Sequence, residues 1–209
     1  MPQGGVSDTV AFWQGEFGDG YTDRNPVTDQ RIKNSARLWN EVIGNLPFDY
    51  EIRSVMEVGA NVGVNLLALA RLLPKTRFFA VEPNDKARQQ LVNSGVVDDL
   101  DAYRGLGDAI GTVDLIFTCG VMIHVPPDDL LGFCRRIHEH AGRYIACIEY
   151  FAQEPEEKLY RGHAGKLWKR DFGSFWLDNF PDLVPLGCGF AWKRMTGLDD
   201  LTWWLLEKR

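Results

Sequence analysis

Two acids close apolar runs early in the chain. Glu57 is the penultimate residue of "RSVMEV" and Glu82 ends "RFFAVE", and a glycine turn, Gly59-Ala60-Asn61-Val62-Gly63, follows the first. Glycine between a strand and a helix lets backbone come close to a ligand or to its own chain. A dinucleotide site needs a second glycine where this chain has Asn61, so that the backbone can reach a pyrophosphate, and the P-loop lysine is missing too. A smaller, less anionic ligand is expected. An acid at the end of the second strand suits a ribose diol, and a second acid at Glu57 suits a cationic group on the same ligand. Taken singly, Gly59 and Gly63 also suit close strand–helix packing, and Glu82 before Pro83 also suits a helix start.

Two groups could take a proton from an acceptor. His124 lies just past the fourth apolar run and Glu149 ends the fifth. His124 could equally touch only the backbone of the next helix. His138 and His140 fall at a helix end, where their charge complements the dipole, and no metal site is expected. Past Tyr150 comes a span free of acids that carries Lys158, Arg161, His163, Lys166, Lys169 and Arg170 among Tyr160, Trp168 and Phe172. A solvated face is the ordinary reading of such a run. Its place after the last core strand favours a pocket for an anionic substrate, with Tyr150, Arg161, His163, Lys166 and Arg170 as contacts.

These groups need a frame that gathers strand ends at one edge. "RSVMEV", "RFFAVE", "LDAYRG", "VDLIFTCGV" and "RYIACIEY" read as strands, with helical patterns between them. Thr28 or Asp29 can cap a helix carrying Ile32, Ala36, Trp39, Ile43 and Leu46 on one face. "VNLLALARLL" is a helix stopped by Pro74, and Pro83 is expected to open the next. "PPDDLLGFCRRIHEHAG" carries acids at its start, cations at its end and Gly142 as the expected stop. Alternation of this kind implies an α/β, doubly wound, mostly parallel sheet with ligands at the carboxyl ends of its strands. "VPLGCGFAWKR" and "DDLTWWLLEKR" add an antiparallel hairpin, which makes seven strands. Residues 1–28 read as an irregular arm, suited to a lid, and 150–183 as an irregular insertion on the substrate side.

The chain has 209 residues, 45% of them apolar, which fits one domain spanning 1–209. Its net charge of −6 disfavours nucleic acid and anionic membrane as partners. Without a leader or a long apolar run, a cytoplasmic location is expected. Cys119, Cys134, Cys147 and Cys188 show no C-x-x-C spacing and read as reduced core thiols.

A ligand with an ammonium, a ribose and no phosphate points to S-adenosylmethionine. The first segment resembles the opening motif of class I methyltransferases, acid-x-Gly-x-Gly-x-Gly, keeping Glu57, Gly59 and Gly63 and departing at Asn61. "FFAVEPN" resembles the second motif, which implies Glu82 as the ribose acid. "DLIFTCGVMIHVPPDDL" resembles the fourth, which implies that Thr118, Cys119, Gly120 and Val121 border the amino-acid part of the cofactor. The family pattern also implies an adenine contact at Gly107 and Asp108, although an acid there can equally be solvated. Within the arm, Arg24 could pair with the methionine carboxylate and Tyr21 could shield the sulfonium. The likeness covers roughly residues 30 to 209. The ends, "FWQGEFGDGYTDRN", "LYRGHAGKLWKRDFG" and "DDLTWWLLEK", are similar to pseudaminic acid biosynthesis-associated methylases. This resemblance implies methyl transfer to a small, anionic metabolite such as a nonulosonic acid or a nucleotide-linked amino sugar. Two rivals are a nucleic-acid methyltransferase and a non-catalytic subunit of the same fold. The acidic charge and "TCGV", where many amino-methylating nucleic-acid enzymes carry Asn-Pro-Pro-Tyr, oppose the first; the complete set of edge motifs opposes the second.

Overall fold

The computed structural model describes residues 6–49, 51–109 and 111–209, with side chains from Thr9 onward. The first five residues of the expected arm lie outside the described residues. In chain order the helices are α1 (Val6–Gln14), α2 (Glu16–Arg24), α3 (Asp29–Ile43), α4 (Val64–Leu72), α5 (Asp85–Asn93), α6 (Pro127–His140), α7 (Phe172–Asn179) and α8 (Lys193–Thr196). The strands are β1 (Ser54–Val58), β2 (Arg77–Val81), β3 (Ala102–Tyr103), β4 (Val113–Cys119), β5 (Ala141–Glu149), β6 (Glu156–Glu157), β7 (Trp168–Lys169), β8 (Leu183–Ala191) and β9 (Leu201–Lys208).

Seven of these strands form one sheet in the order β3-β2-β1-β4-β5-β9-β8. β1 pairs in parallel with β2 on one side and with β4 on the other, so the order reverses between β1 and β4. A doubly wound sheet opens a crevice at such a reversal, outside the carboxyl ends of the strands. β9 joins β5 antiparallel and β8 closes the hairpin, as expected for the tail.

Successive strand residues face opposite layers, and both layers are apolar. On one face Val55, Leu115 and Phe117 pack against Leu38, Trp39 and Val42 of α3 and Leu66 and Leu69 of α4. On the other, Met56, Val58 and Ile116 meet Leu130 and Ile137 of α6 and Trp176 of α7. Covered on both sides, the parallel strands are mostly apolar, which is why they read as near-continuous runs. Among the described residues no helix is long and apolar enough to cross a membrane.

Five local expectations are corrected. The arm is not irregular from residue 6 onward, since α1 and α2 occupy most of it. Pro83 does not open α5; it precedes Asn84, whose side chain caps the helix by accepting from the N–H of Ala87 at 2.9 Å. Gly142 does not stop α6. It is the second residue of β5, and a Cβ there would lie 2.9 Å from the Val113 carbonyl, so close strand approach is what requires it. The 150–183 insertion contains the short β6–β7 pair, and its second half folds as α7, with Phe172 and Trp176 buried in the core. All four cysteines are free, but Cys188 is exposed on β8 and is not a core thiol.

Candidate active site

A cavity of about 570 Å³ lies at the carboxyl ends of β1, β2 and β4, a size within the range of small-molecule sites. Glu57 and Glu82 both line it and both are buried. Glu57 Oε1 accepts from Asn65 Nδ2 at 2.7 Å. Asn65 is itself set by Ser35 Oγ at 2.7 Å and Trp39 Nε1 at 3.4 Å, so α3 and α4 together aim this carboxyl group. Among the described residues Glu57 Oε2 has no hydrogen-bond partner. Burial pushes the Glu57 pKa well above the carboxylate range, with the Asn65 bond opposing it and Glu82 adding to it. A buried acceptor left open is costly unless a donor arrives, and a cation is the donor that restores the charged form.

Glu82 is held differently. Its Oε2 accepts from the N–H of Asn61 at 2.6 Å and its Oε1 from the N–H of Asn84 at 2.8 Å. Burial pushes its pKa up to about 7 against the pull of those two amides. Each oxygen keeps a further lone pair for a diol.

The turn between the acids is left-handed at three positions: Gly59 (φ 79°), Asn61 (φ 46°) and Gly63 (φ 80°). At Gly59 a side chain is excluded twice, by φ and by a Cβ that would lie 2.4 Å from Val121 Cγ2. Asn61 bears a side chain where this conformation costs about 1 kcal/mol. Its Oδ1 accepts from Thr22 Oγ1 of α2 at 3.3 Å, so the departure from glycine places a hook for the arm.

His124 follows β4 in a short 3-10 turn, buried, on the cavity wall. Its Nδ1 lies 2.6 Å from the carbonyl of Lys166. A carbonyl only accepts, so Nδ1 carries the proton and donates, and the lone pair stands on Nε2. Burial pushes its pKa down to about 4, with the Lys166 bond opposing, and keeps the ring neutral. Glu149 is corrected from candidate base to support. It is fully buried and outside the cavity lining, and its carboxylate accepts from the N–H groups of Val121 and Met122 at 3.1 Å and of Ile123 at 3.4 Å. It holds the turn that carries His124.

The arm roofs the cavity with Thr9, Trp13, Tyr21 and Thr22. Trp13 packs on His124 at 4.8 Å between ring centroids and on Tyr21 at 5.3 Å; Tyr160 of the insertion reaches His124 at 4.7 Å. Burial pushes the Tyr21 phenol up to about 12. Arg24 is corrected: it is exposed, lies outside the cavity lining and stacks over Phe17. Arg31 lines the cavity instead, with its guanidinium bonded to the Pro26 carbonyl at 2.8 Å.

The basic insertion also departs from expectation. Arg161, His163, Lys166 and Arg170 do not line the cavity. His163 packs edge-on to Phe12 and Phe17, Lys166 stands over Phe12 at 4.8 Å, and Arg170 over Phe175 at 5.0 Å. Tyr150 donates to Asp199 at 2.8 Å, also outside the cavity. Gly107 and Asp108 are exposed, and Asp108 accepts from the N–H of Gly105, capping its own turn; Arg104, Gly105 and Leu106 line the wall there.

Of the expected ligand contacts, Tyr21, Glu57, Gly59, Ala60, Asn61, Glu82, Pro83, Cys119, Gly120 and Val121 come together around the cavity, with His124 beside them. Gly63 stands back as the N-cap of α4. The residues missed include Trp13, Arg31, Asn65 and Asn84. Asn84 carried a signal, an amide at a helix start two residues after Glu82. Among the described residues there is no group of three or more His, Cys, Asp or Glu able to hold a metal ion.

No family model and no curated protein matches the sequence. Solved structures do. A 1,6-didemethyltoxoflavin-N1-methyltransferase of Burkholderia thailandensis, with 1,6-didemethyltoxoflavin and S-adenosylhomocysteine bound, superposes with a TM-score of 0.71 at 16% identity over 100% of this chain and 92% of its own. A magnesium protoporphyrin IX methyltransferase of Synechocystis with S-adenosylhomocysteine gives 0.67 at 14% identity, over 97% of this chain and 99% of its own. Coclaurine N-methyltransferase, bound to N-methylheliamine and S-adenosylhomocysteine, gives 0.61 at 12% identity, over 85% of this chain and 72% of its own. At such identities the likeness is one of fold: a Rossmann-like, mostly parallel seven-stranded sheet ending in an antiparallel hairpin.

Proposed function

We propose that this chain is an S-adenosylmethionine-dependent methyltransferase acting on a small metabolite through a protic oxygen or nitrogen that meets His124. The observation that carries the reading is the pair of buried carboxyl groups flanking the left-handed turn, one of them with an oxygen open to a cation. Glu57 Oε2 fits the ammonium of the cofactor and the free lone pairs of Glu82 fit its ribose. Arg31, the cation that lines the cavity beside the arm, fits its carboxylate. Cys119, Gly120 and Val121 would border the amino-acid part, with Cys119 kept a neutral thiol by burial. The ligands named for the solved structures of the same fold point the same way.

S-adenosylmethionine, when bound, supplies a methyl group already activated by its sulfonium. The chain then has three tasks: to align the acceptor, to exclude water and to move one proton. Trp13 and Tyr21 wall the acceptor end with rings. His124 offers Nε2 to the acceptor proton, and its Nδ1–H is anchored on the Lys166 carbonyl, so the imidazolium formed after transfer keeps that hydrogen bond. Glu149 keeps the turn in place. A hydroxyl acceptor needs this proton transfer; an amine that is neutral in solution needs only the hydrogen bond.

The family resemblance of the chain ends supports a nonulosonic acid or a nucleotide-linked amino sugar as acceptor. The basic insertion no longer supports it, so the acid group of such an acceptor would fall to Arg136 of α6 at the cavity wall. Calorimetry with S-adenosylmethionine and S-adenosylhomocysteine tests the cofactor, and release of S-adenosylhomocysteine over a panel of small hydroxyl and amine acceptors tests the reaction. A folded protein that binds neither compound would refute the proposal.

A further inference from the structure

The two backbone amides that hold Glu82 belong to Asn61 and Asn84. The side chains of the same two residues hold the arm. Asn61 Oδ1 accepts from Thr22 Oγ1, and Thr22 is buried. Asn84 Nδ2 donates to the Trp13 carbonyl at 3.1 Å and to Asp19 Oδ1 at 2.9 Å, while its Oδ1 caps α5. The Trp13 carbonyl lies in the last turn of α1 and is one of the acceptors a helix end leaves open, so Asn84 closes α1 from across the chain. Both N–H donors of the Asn84 amide are thereby used, and its oxygen accepts as well.

Gly18 of α2 is shaped to the same joint. A Cβ there would fall 1.7 Å from the Trp13 carbonyl oxygen and 2.9 Å from Asn84 Nδ2. Lys86, in the first turn of α5, pairs with Asp23 of α2 at 2.6 Å beside it. Four contacts and one close approach thus tie α1–α2 to the corner where the ribose carboxylate stands. The arm in turn brings Trp13 against His124, with Tyr21 packed on Trp13.

Resting on the proposed cofactor, we infer that Asn61 and Asn84 couple the ribose corner to the arm, so that α1–α2 locks down as the cofactor binds and the aromatic wall for the acceptor is completed only then. A diol at Glu82 draws on the same carboxylate as the two amides. It favours the ionised form, which strengthens both N–H bonds and fixes the backbone from which both side chains reach. Because coupling is reciprocal, the locked arm must tighten cofactor binding by the same factor by which the cofactor favours the locked arm, and slower release is the expected form of that gain. Cofactor before acceptor is the resulting order, and Asn61 and Asn84 are positioning residues for the acceptor.

The test uses the full chain and S-adenosylhomocysteine, with amide hydrogen exchange over residues 6–24 as readout and stopped-flow release of the ligand alongside. In the wild type the ligand is expected to slow exchange across α1–α2 by about tenfold or more. Asn61→Gly keeps the left-handed turn, which glycine adopts freely, and removes only the hook. It is expected to blunt that response and to speed ligand release about 2- to 10-fold, the worth of one hydrogen bond. Thr22→Val should match it, the double variant should add little, and Thr22→Ser should restore wild-type values. Calorimetric binding with unchanged arm exchange, or an Asn61→Gly response equal to wild type, overturns the coupling while the cofactor assignment stands. No calorimetric binding by the folded wild type overturns both.

Discussion

The carboxyl edge of β1, β2 and β4 and the roof made by the arm, with the insertion packed against it, hold one cavity by different means. At the edge, polar atoms are placed by short directional bonds from neighbouring backbone: Asn61 and Asn84 to Glu82, and three successive amides to Glu149. At the roof, rings and cations lie face on face: Phe12 on Phe17 at 4.2 Å, Arg24 over Phe17 and Lys166 over Phe12. Directional bonds on strand ends set positions to a fraction of an ångström, which charge recognition and proton transfer require. Ring and cation contacts tolerate sliding, which suits the locking motion inferred for the arm. His124 sits where the two meet, carried by the edge and packed by the roof.

That division can be tested from the largest effect down. His124→Ala should lower turnover roughly 10²–10⁴-fold with cofactor affinity nearly unchanged, provided the acceptor is a hydroxyl. Steady-state kinetics beside calorimetry reads both; near wild-type turnover would assign an amine acceptor that loses its proton to solvent. With the imidazole pushed down to about 4, the acid limb that His124 contributes to kcat/KM should lie near that value, well below the ordinary histidine range of about 6.5.

Glu82→Ala should weaken cofactor binding by about 3 kcal/mol, a factor of ~10², for the loss of two charge-assisted hydrogen bonds. The wild type should bind more weakly as pH falls through about 7, because the Glu82 carboxyl is then protonated in the free protein and must ionise to bind. Titration calorimetry between pH 6 and 8 checks both, and pH-independent affinity in wild type would remove Glu82 from the ribose.

The edge also has a stability signature. Burial raises Glu149 to about 7 from 4.5, against the pull of its amide donors. A carboxyl raised in the folded state contributes stability that is present below its unfolded value and lost as pH rises through the folded one. The cofactor-free protein should therefore lose up to about 3 kcal/mol through Glu149 between pH 4.5 and 7. Urea midpoints across that range should fall in wild type and fall less in Glu149→Gln; parallel slopes would refute the assignment.

At the roof, Arg161→Ala and Arg170→Ala should change acceptor KM by less than about twofold at low or high salt, because neither side chain lines the cavity. A larger, salt-sensitive rise would return the insertion to an anion-binding role and blur the contrast between edge and roof.

The edge was legible because its signals are local. Leu115 to Phe117 are apolar without interruption and Val55 to Val58 are apolar but for Glu57, since both faces of those strands are covered, and Glu57 and Glu82 stand at the carboxyl ends of such runs. The roof was not. "FWQGEFGDGYTDRN" is poor in helix formers and rich in glycine and aspartate, yet it contributes to two helices of nine residues each. Helices this short are marginal on their own and owe their stability to docking, and the partners, Asn61, Asn84 and Lys86, lie far along the chain. The cations of 158–170 were visible as a run, but their direction was not, because the face of Phe12 that Lys166 covers is brought up by α1, far away in the chain.

Sequence by itself determined the strand order's ingredients, the left-handed turn and the acids beside it, because hydrophobic periodicity, glycine and strand ends are properties of adjacent residues. Tertiary structure alone decided which cation enters the cavity, Arg31 and not Arg24, and which carboxylate is support, Glu149. It also decided which nitrogen of His124 holds the proton, through a carbonyl at Lys166. Each of these depends on where a side chain meets a distant segment, and such meetings are set by packing of the whole chain.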